Sequence, residues 1–179
     1  MEPKKGTLYF FTGLSGAGKT TIGGAFYRSL KAERNDVLLL DGDQTRPVFN
    51  DEVGYSAEER LRGSYRLFRV CKMLTDQGID VVCCAICMHS EVRAWAREHI
   101  DNYREIYIKV TRETLFRRDQ KGLYSSGAKN VMGIDIPFDE PKMPDIVVEN
   151  DAGESPERIV DGVRARLGID GGASCGIIC

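Results

Sequence analysis

Two rhythms of apolar residues alternate along the chain. Short, nearly continuous apolar runs occur at Thr7–Phe11, Asp36–Leu40, Ile79–Ile86, Arg104–Val110 and Asp145–Val148. Between them lie stretches whose apolar residues return every third or fourth position. These include Ile22, Ala25, Phe26 and Leu30, then Leu61, Leu67, Phe68, Cys71 and Leu74, and later Ile159, Val163 and Leu167. The first rhythm predicts strands, with Asp36–Leu40 a short buried one and Ile79–Ile86 one buried on both faces; the second predicts amphipathic helices. Polar residues mark the boundaries. Ser56-Ala57-Glu58-Glu59 has the form of a capping box, and Gly78 stops the helix it opens. Ser90 begins a helix through Trp95, Thr111 caps one that carries Arg117, Arg118 and Asp119, and Ser155-Pro156 starts a last one closed by Gly168. Strand and helix alternate throughout, which predicts a three-layer α/β fold with about five parallel strands and helices on both faces.

One stretch follows neither rhythm. From Gln120 to Pro144 the chain is rich in Gly, Lys, Ser and Pro. A connection this long inside a domain reads as a lid or binding loop. The expected organisation is one domain over residues 1–170, with a lid at about 120–141, followed by a flexible tail over 171–179. The length of 179 residues suits one well-buried domain and is short for two.

The sharpest chemistry sits between the first strand and the first helix. Gly13-Leu14-Ser15-Gly16-Ala17-Gly18-Lys19-Thr20-Thr21 contains G-x-x-x-x-G-K-[ST], a phosphate-binding P-loop. Its glycines let backbone N–H groups turn toward phosphate oxygens, and the helix N-terminus adds partial positive charge. Gly13, Ser15, Gly16, Ala17, Gly18, Lys19, Thr20 and Thr21 are therefore the expected nucleoside triphosphate-binding residues. Lys19 is expected to reach the terminal phosphates and Thr20 to ligate Mg²⁺. The fold class becomes a three-layer P-loop NTPase fold that binds a nucleoside triphosphate with Mg²⁺. The second strand ends in Asp41-Gly42-Asp43, with Arg46 close behind. Carboxylates at the C-terminal end of a strand are where an open α/β sheet puts its chemistry, and Gly42 suits a tight turn there.

Charge and cysteine usage narrow the partners. A formal net charge of −2 gives no global attraction to nucleic acid or to an anionic membrane, so a small nucleotide is the expected ligand. No apolar stretch approaches a membrane span, and a cytoplasmic location is the default expectation. Of six cysteines, Cys84 and Cys87 have C-x-x-C spacing without a second such pair. Buried reduced thiols are the expected role for Cys71, Cys83, Cys84 and Cys87. The ending Cys175-Gly176-Ile177-Ile178-Cys179 misses the prenylation register and is assigned no function.

Several segments together resemble the adenylylsulfate kinase family over roughly residues 6 to 150. They are the P-loop, Leu40-Asp41-Gly42-Asp43 with Arg46, Val53-Gly54-Tyr55-Ser56, Arg118-Asp119-Gln120-Lys121-Gly122-Leu123-Tyr124, and Gly133-Ile134-Asp135-Ile136-Pro137. The resemblance implies transfer of the ATP γ-phosphoryl group to the 3′-hydroxyl of adenosine 5′-phosphosulfate. It implies that Asp43 positions the metal and accepts the hydroxyl proton, with Asp41 beside it, and that Arg118 stands on the ATP side. Arg46 and Arg60 match arginines that hold the acceptor, and Tyr55 matches an aromatic that stacks on its base. Lys121, Gly122 and Leu123 match the lid, Lys121 close to both anionic ligands. Members of this family often form dimers, so a homodimer is possible.

Departures from the family concentrate in the acceptor pocket. Gly63 replaces an Asn, and Tyr65 an Arg. Ile86-Cys87-Met88-His89-Ser90 replaces the segment that lines the phosphosulfate pocket, and Val131 replaces a Phe that covers the adenine. Adenylylsulfate kinase activity is the leading expectation. The alternative is the same transfer to another nucleotide-linked acid, such as a cytidine diphosphoramidate-type nucleotide used in surface-polysaccharide synthesis. A third reading is an ATP-binding regulatory module without an acceptor.

Overall fold

The computed structural model describes residues 4–49, 56–87, 89–119, 122, 133, 136 and 138–169. The first strand, β1 (Leu8–Thr12), is buried at all five positions because strands flank it and helices cover both its faces. The other strands are β2 (Val37–Asp41), β3 (Asp80–Cys84), β4 (Tyr103–Lys109) and β5 (Ile146–Glu149). All pair in parallel in the order β2-β3-β1-β4-β5. The expected buried run at 36–40 is an edge strand instead. Leu38 is 40% exposed and only Val37 and Asp41 of β2 are buried, because an outermost strand has a sheet neighbour on one side only.

The helices are α1 (Lys19–Lys31), the short α2 (Gly42–Thr45), α3 (Ala57–Asp76), α4 (Ser90–His99), α5 (Arg112–Arg118) and α6 (Pro156–Leu167). Alternation along the strands divides the core between two faces. Tyr9, Phe11, Val82, Cys84, Ile106 and Ile108 meet α1 and α6 on one side. Leu8, Phe10, Val81, Cys83 and Tyr103 meet α3 and α4 on the other. Phe26 of α1 stands edge-on to Tyr9 at 5.0 Å, and Phe68 of α3 edge-on to Phe10 at 4.9 Å.

The caps follow the polar boundary residues. Ser56 accepts from the Glu59 N–H and Glu59 reaches back to the Ser56 N–H, a complete capping box for α3. Thr111 and Ser155 cap α5 and α6, and Gly168 ends α6 at φ 66°. Cys71, Cys83, Cys84 and Cys87 are free and buried. Burial pushes the Cys84 thiol up to about 12 and the Cys87 thiol up to about 11. Among the described residues no helix is long and apolar enough to cross a membrane.

Candidate active site

The C-terminal ends of β1, β2, β4 and β5 converge on the loop after β1. Gly13, Gly16 and Gly18 have φ values of 148°, 79° and 107°, which L side chains rarely adopt. The space is closed as well: a Cβ on Gly13 would stand 2.3 Å from the Ile108 carbonyl oxygen, and one on Gly18 2.7 Å from Asn150 Nδ2. The Ala17 methyl is buried, and the Lys19 ammonium donates to the Leu14 carbonyl at 2.8 Å across the mouth of the loop. Ser15, Gly16 and Gly18 are half-buried, and Thr20 and Thr21 lie exposed at the start of α1.

Asp41 joins this loop to β2. Its Oδ2 accepts from the Thr20 hydroxyl at 2.7 Å, and its Oδ1 accepts from the Asp43 N–H at 2.8 Å. The second bond caps α2, so the chain at Gly42 starts a helix where its sequence reads as a tight turn. Asp41 is buried, whereas the Asp43 side chain is exposed two residues further on. Arg46 is half-buried at the end of α2.

The opposite wall comes from β4 and β5. Arg118, in the last turn of α5, donates to the carbonyls of Gly16 (3.3 Å), Ala17 (3.4 Å) and Asn150 (2.6 Å). Asn150, just past β5, is 8% exposed and its Nδ2 donates to the Ala17 carbonyl at 2.8 Å. The carbonyl side of the loop is thus held from behind by two side chains. A cleft of about 340 Å³ continues from the loop, lined by Gly16, Gly18, Thr21, Arg118, Asn150 and Pro156. Asn150 carries no motif signal. Its position immediately beyond an apolar strand, where an α/β sheet places ligands, is the clue that the sequence does hold.

Across β2 and β3 lie the residues matched to the acceptor. Arg60 is half-buried in the first turns of α3, whereas Arg62, Arg66 and Arg69 are exposed. Tyr65 packs into the seam between α3 and α4, edge-on to Trp95 at 6.1 Å, with the Arg69 guanidinium 5.9 Å from its ring centre. After β3, Ile86 is half-buried, while Cys87 is 1% exposed with its side chain in the α3–α4 core. Cys87 Sγ lies 3.6 Å from the His89 carbonyl. Tyr55, Lys121, Leu123 and Val131 lie outside the described residues. Within the expected lid, Gly122 follows the end of α5, and its N–H donates to the Asp119 carbonyl at 2.9 Å. Gly133 touches the phosphate loop, since a Cβ there would stand 2.8 Å from Leu14 Cδ1. Arg112 holds the Gly133 carbonyl at 3.0 Å.

Residues 5–149 match the family model described as adenylylsulphate kinase. The cytidine diphosphoramidate kinase of Campylobacter jejuni is 36% identical over 166 residues, 90% of this chain and 96% of that protein. The adenylyl-sulfate kinase of Bacillus licheniformis is 35% identical over 159 residues, 86% of this chain and 81% of that protein. Among solved structures, the Mycobacterium tuberculosis APS kinase in complex with AMPPNP and APS superposes with a TM-score of 0.84 at 32% identity. That superposition covers 93% of this chain and 99% of the other. Likeness of this extent, over a loop built to bind phosphate, makes the chain a member of the adenylylsulphate kinase family and an ATP-dependent phosphotransferase with an alcohol group as acceptor.

Proposed function

We propose that this protein transfers the γ-phosphoryl group of ATP to the ribose 3′-hydroxyl of a nucleotide whose 5′-phosphate carries a small acid, and that this nucleotide is of the cytidine diphosphoramidate type. The observation that carries the acceptor reading is the placement of Tyr65. Where the family pattern has an arginine for the acceptor pocket, this chain has a ring packed against Trp95 between two helices. Gly63 and Val131 also shorten the side chains offered to a base. Losing one aromatic face removes about 1–3 kcal/mol of stacking, a loss a pyrimidine with its smaller area tolerates better than adenine. Identity does not separate the two activities, at 36% for the cytidine diphosphoramidate kinase and 35% for the adenylyl-sulfate kinase. Adenylyl sulfate is the second reading, supported by the family match and by the Mycobacterium tuberculosis complex.

The donor half follows from the loop. Backbone N–H groups of residues 13–20 and the Lys19 ammonium hold the β- and γ-phosphates, and Arg118 and Asn150 keep the loop in shape. The residues present fit Mg²⁺. Among the described residues no group of three or more His, Cys, Asp or Glu gathers, and Mg²⁺ in kinases takes only one or two protein oxygens beside phosphate and water. Thr20 Oγ1 and Asp41 Oδ2, 2.7 Å apart, would be those oxygens, Asp41 taking the metal-positioning role that the family resemblance gives to Asp43. When bound there, Mg²⁺ would supply neutralisation of the charge on the transferring group. Asp43, exposed at the start of α2, accepts the hydroxyl proton, while Arg46, Arg60 and Tyr55 hold the acceptor. Lys121, with Gly122 and Leu123, closes over both ligands.

ADP release with MgATP tests this against cytidine diphosphoramidate, adenylyl sulfate, cytidine diphosphate and no acceptor. Turnover with the phosphoramidate and little with adenylyl sulfate is expected. The reverse order would establish the second reading, and ADP release indifferent to every acceptor would leave only ATP hydrolysis.

A further inference from the structure

Two arginines one turn apart on α4 enter a buried cluster that the phosphate chemistry does not use. Arg93 and Glu105 are both nearly sealed, with side chains 6% and 5% exposed, and Arg93 Nε pairs with Glu105 Oε1 at 3.2 Å. Arg97 takes the other oxygen, Glu105 Oε2, at 3.1 Å and also pairs with Asp145 at 3.1 Å. Asp145 in turn accepts from the Glu105 N–H at 2.7 Å. Burial raises the Glu105 carboxyl above the usual range, against the pull of Arg93 and Arg97.

Such a cluster adds little stability over an apolar packing of the same volume, since desolvation offsets most of the attraction. What it does here is hold Arg93 by charge while its two Nη groups donate to two separate main-chain segments. Nη1 donates to the Cys87 carbonyl, in the loop between β3 and α4. Nη2 donates to the Asp139 carbonyl at 2.7 Å, in the segment that leads from the expected lid to β5. Arg97 adds a third tie, to the Met143 carbonyl at 3.2 Å. One rigid guanidinium, itself fixed by Glu105, thus sets the spacing between the loop of Ile86, Cys87 and His89 and the base of the lid. A planar fork with its donors in fixed directions suits this task, and a lysine would not reach both carbonyls.

The geometry points to Arg93 as a positioning residue for the acceptor half of the site: it couples the post-β3 loop to the stem of the lid, so that the acceptor meets a preset pocket. This rests on the reading that both segments border the acceptor. A positioning role of this kind is felt in the acceptor step, where a misplacement of about 1 Å costs about 10²-fold.

The test compares Arg93→Lys, Arg93→Met and the double variant Arg93→Met/Glu105→Leu with the native protein. The double variant removes one charge of each sign and leaves Arg97 paired with Asp145, so it keeps a folded reference if the single variants unfold. Hydrogen exchange is read at Ile86, Cys87 and His89, at Phe138, Asp139 and Glu140, and at residues 13–20. Faster exchange in the first two segments together, with the phosphate loop unchanged, is expected in the double variant. Binding of a non-hydrolysable ATP analogue should stay at the native value. With whichever of cytidine diphosphoramidate and adenylyl sulfate the native protein turns over, kcat/KM for the acceptor should fall about 10²-fold. Native exchange at either segment, or donor and acceptor constants falling in parallel, would overturn the coupling. Native turnover of neither acceptor would instead overturn the acceptor reading, and the exchange measurement would still decide the strut.

Discussion

Asp41 serves two partners with one carboxylate, and the division of labour between it and Asp43 follows from where each is held. Asp41 is buried, capping α2 with one oxygen and meeting the Thr20 hydroxyl with the other. Asp43 stands exposed at the mouth of the site, tied to Asp41 through its backbone N–H. The two substitutions should therefore separate. Asp43→Asn removes the proposed proton acceptor, so kcat should fall by about 10²–10⁴-fold while ATP affinity holds. Asp41→Asn removes an oxygen of the proposed metal site, so the Mg²⁺ concentration for half-maximal rate should rise along with the loss of kcat. Titrating Mg²⁺ in steady-state assays of both variants checks this; an unchanged Mg²⁺ requirement in Asp41→Asn would remove Asp41 from the metal site. The pair Asp41-Gly42-Asp43 is visible in the sequence. Which of the two touches Thr20 is not, because that depends on how the end of β2 lies against the start of α1.

At the level of elements, the phosphate loop depends on how closely α1 lies on the sheet. Gly23, in the middle of α1, is one reason it can come so close. A Cβ there would stand 2.3 Å from Cys84 Sγ on β3 and 3.4 Å from the Phe11 ring on β1. Gly23→Ala should overpack this contact and destabilise by about 1–3 kcal/mol, read as a shift in the midpoint of urea unfolding. Adding Cys84→Ala should recover much of the loss, because the atom in the way is the Cys84 sulfur; no recovery would place the strain at Phe11 instead. The two rhythms of apolar residues locate α1 and β3 well enough, since periods of 3.6 and 2 are local properties of the chain. They are less able to tell a central strand from an edge one. The apolar runs at 8–11 and 37–40 read alike, yet β1 is buried throughout and Leu38 is not.

Over the whole molecule, the donor site is assembled from the two ends of the sequence. Residues 13–20 follow β1, Arg118 closes α5 and Asn150 follows β5; the side chains of Arg118 and Asn150 meet at Ala17. On the proposed reading, MgATP binds a surface that exists only when β4 and β5 are docked beside β1, and it should stabilise the fold as one unit. At 100 times its Kd it should add about 2.7 kcal/mol, raising Tm by about 5–10 °C for a chain of this size. Lys19→Ala should abolish the shift. Asn150→Ala leaves the buried Ala17 carbonyl short of a partner, at a cost of about 1–3 kcal/mol, and should shrink the shift at the same ATP concentration. Differential scanning calorimetry with and without MgATP reads all three, and a full shift in Asn150→Ala would show that Arg118 alone sustains the loop.

The strand–helix order, the caps at Ser56, Thr111 and Ser155, and the phosphate loop were each determined by residues a few positions apart. Hydrogen bonding, side-chain periodicity and positive-φ glycines act over that distance. The tertiary structure decided what depends on distant residues meeting: Asn150 and Arg118 behind the loop, Asp41 against Thr20, and Tyr65 turned onto Trp95. Arg93 belongs to the same class, since a lone arginine on a helix face reads as solvated until Glu105, Cys87 and Asp139 are placed around it. Local patterns specify elements; only packing tells a buried polar group which partner it has.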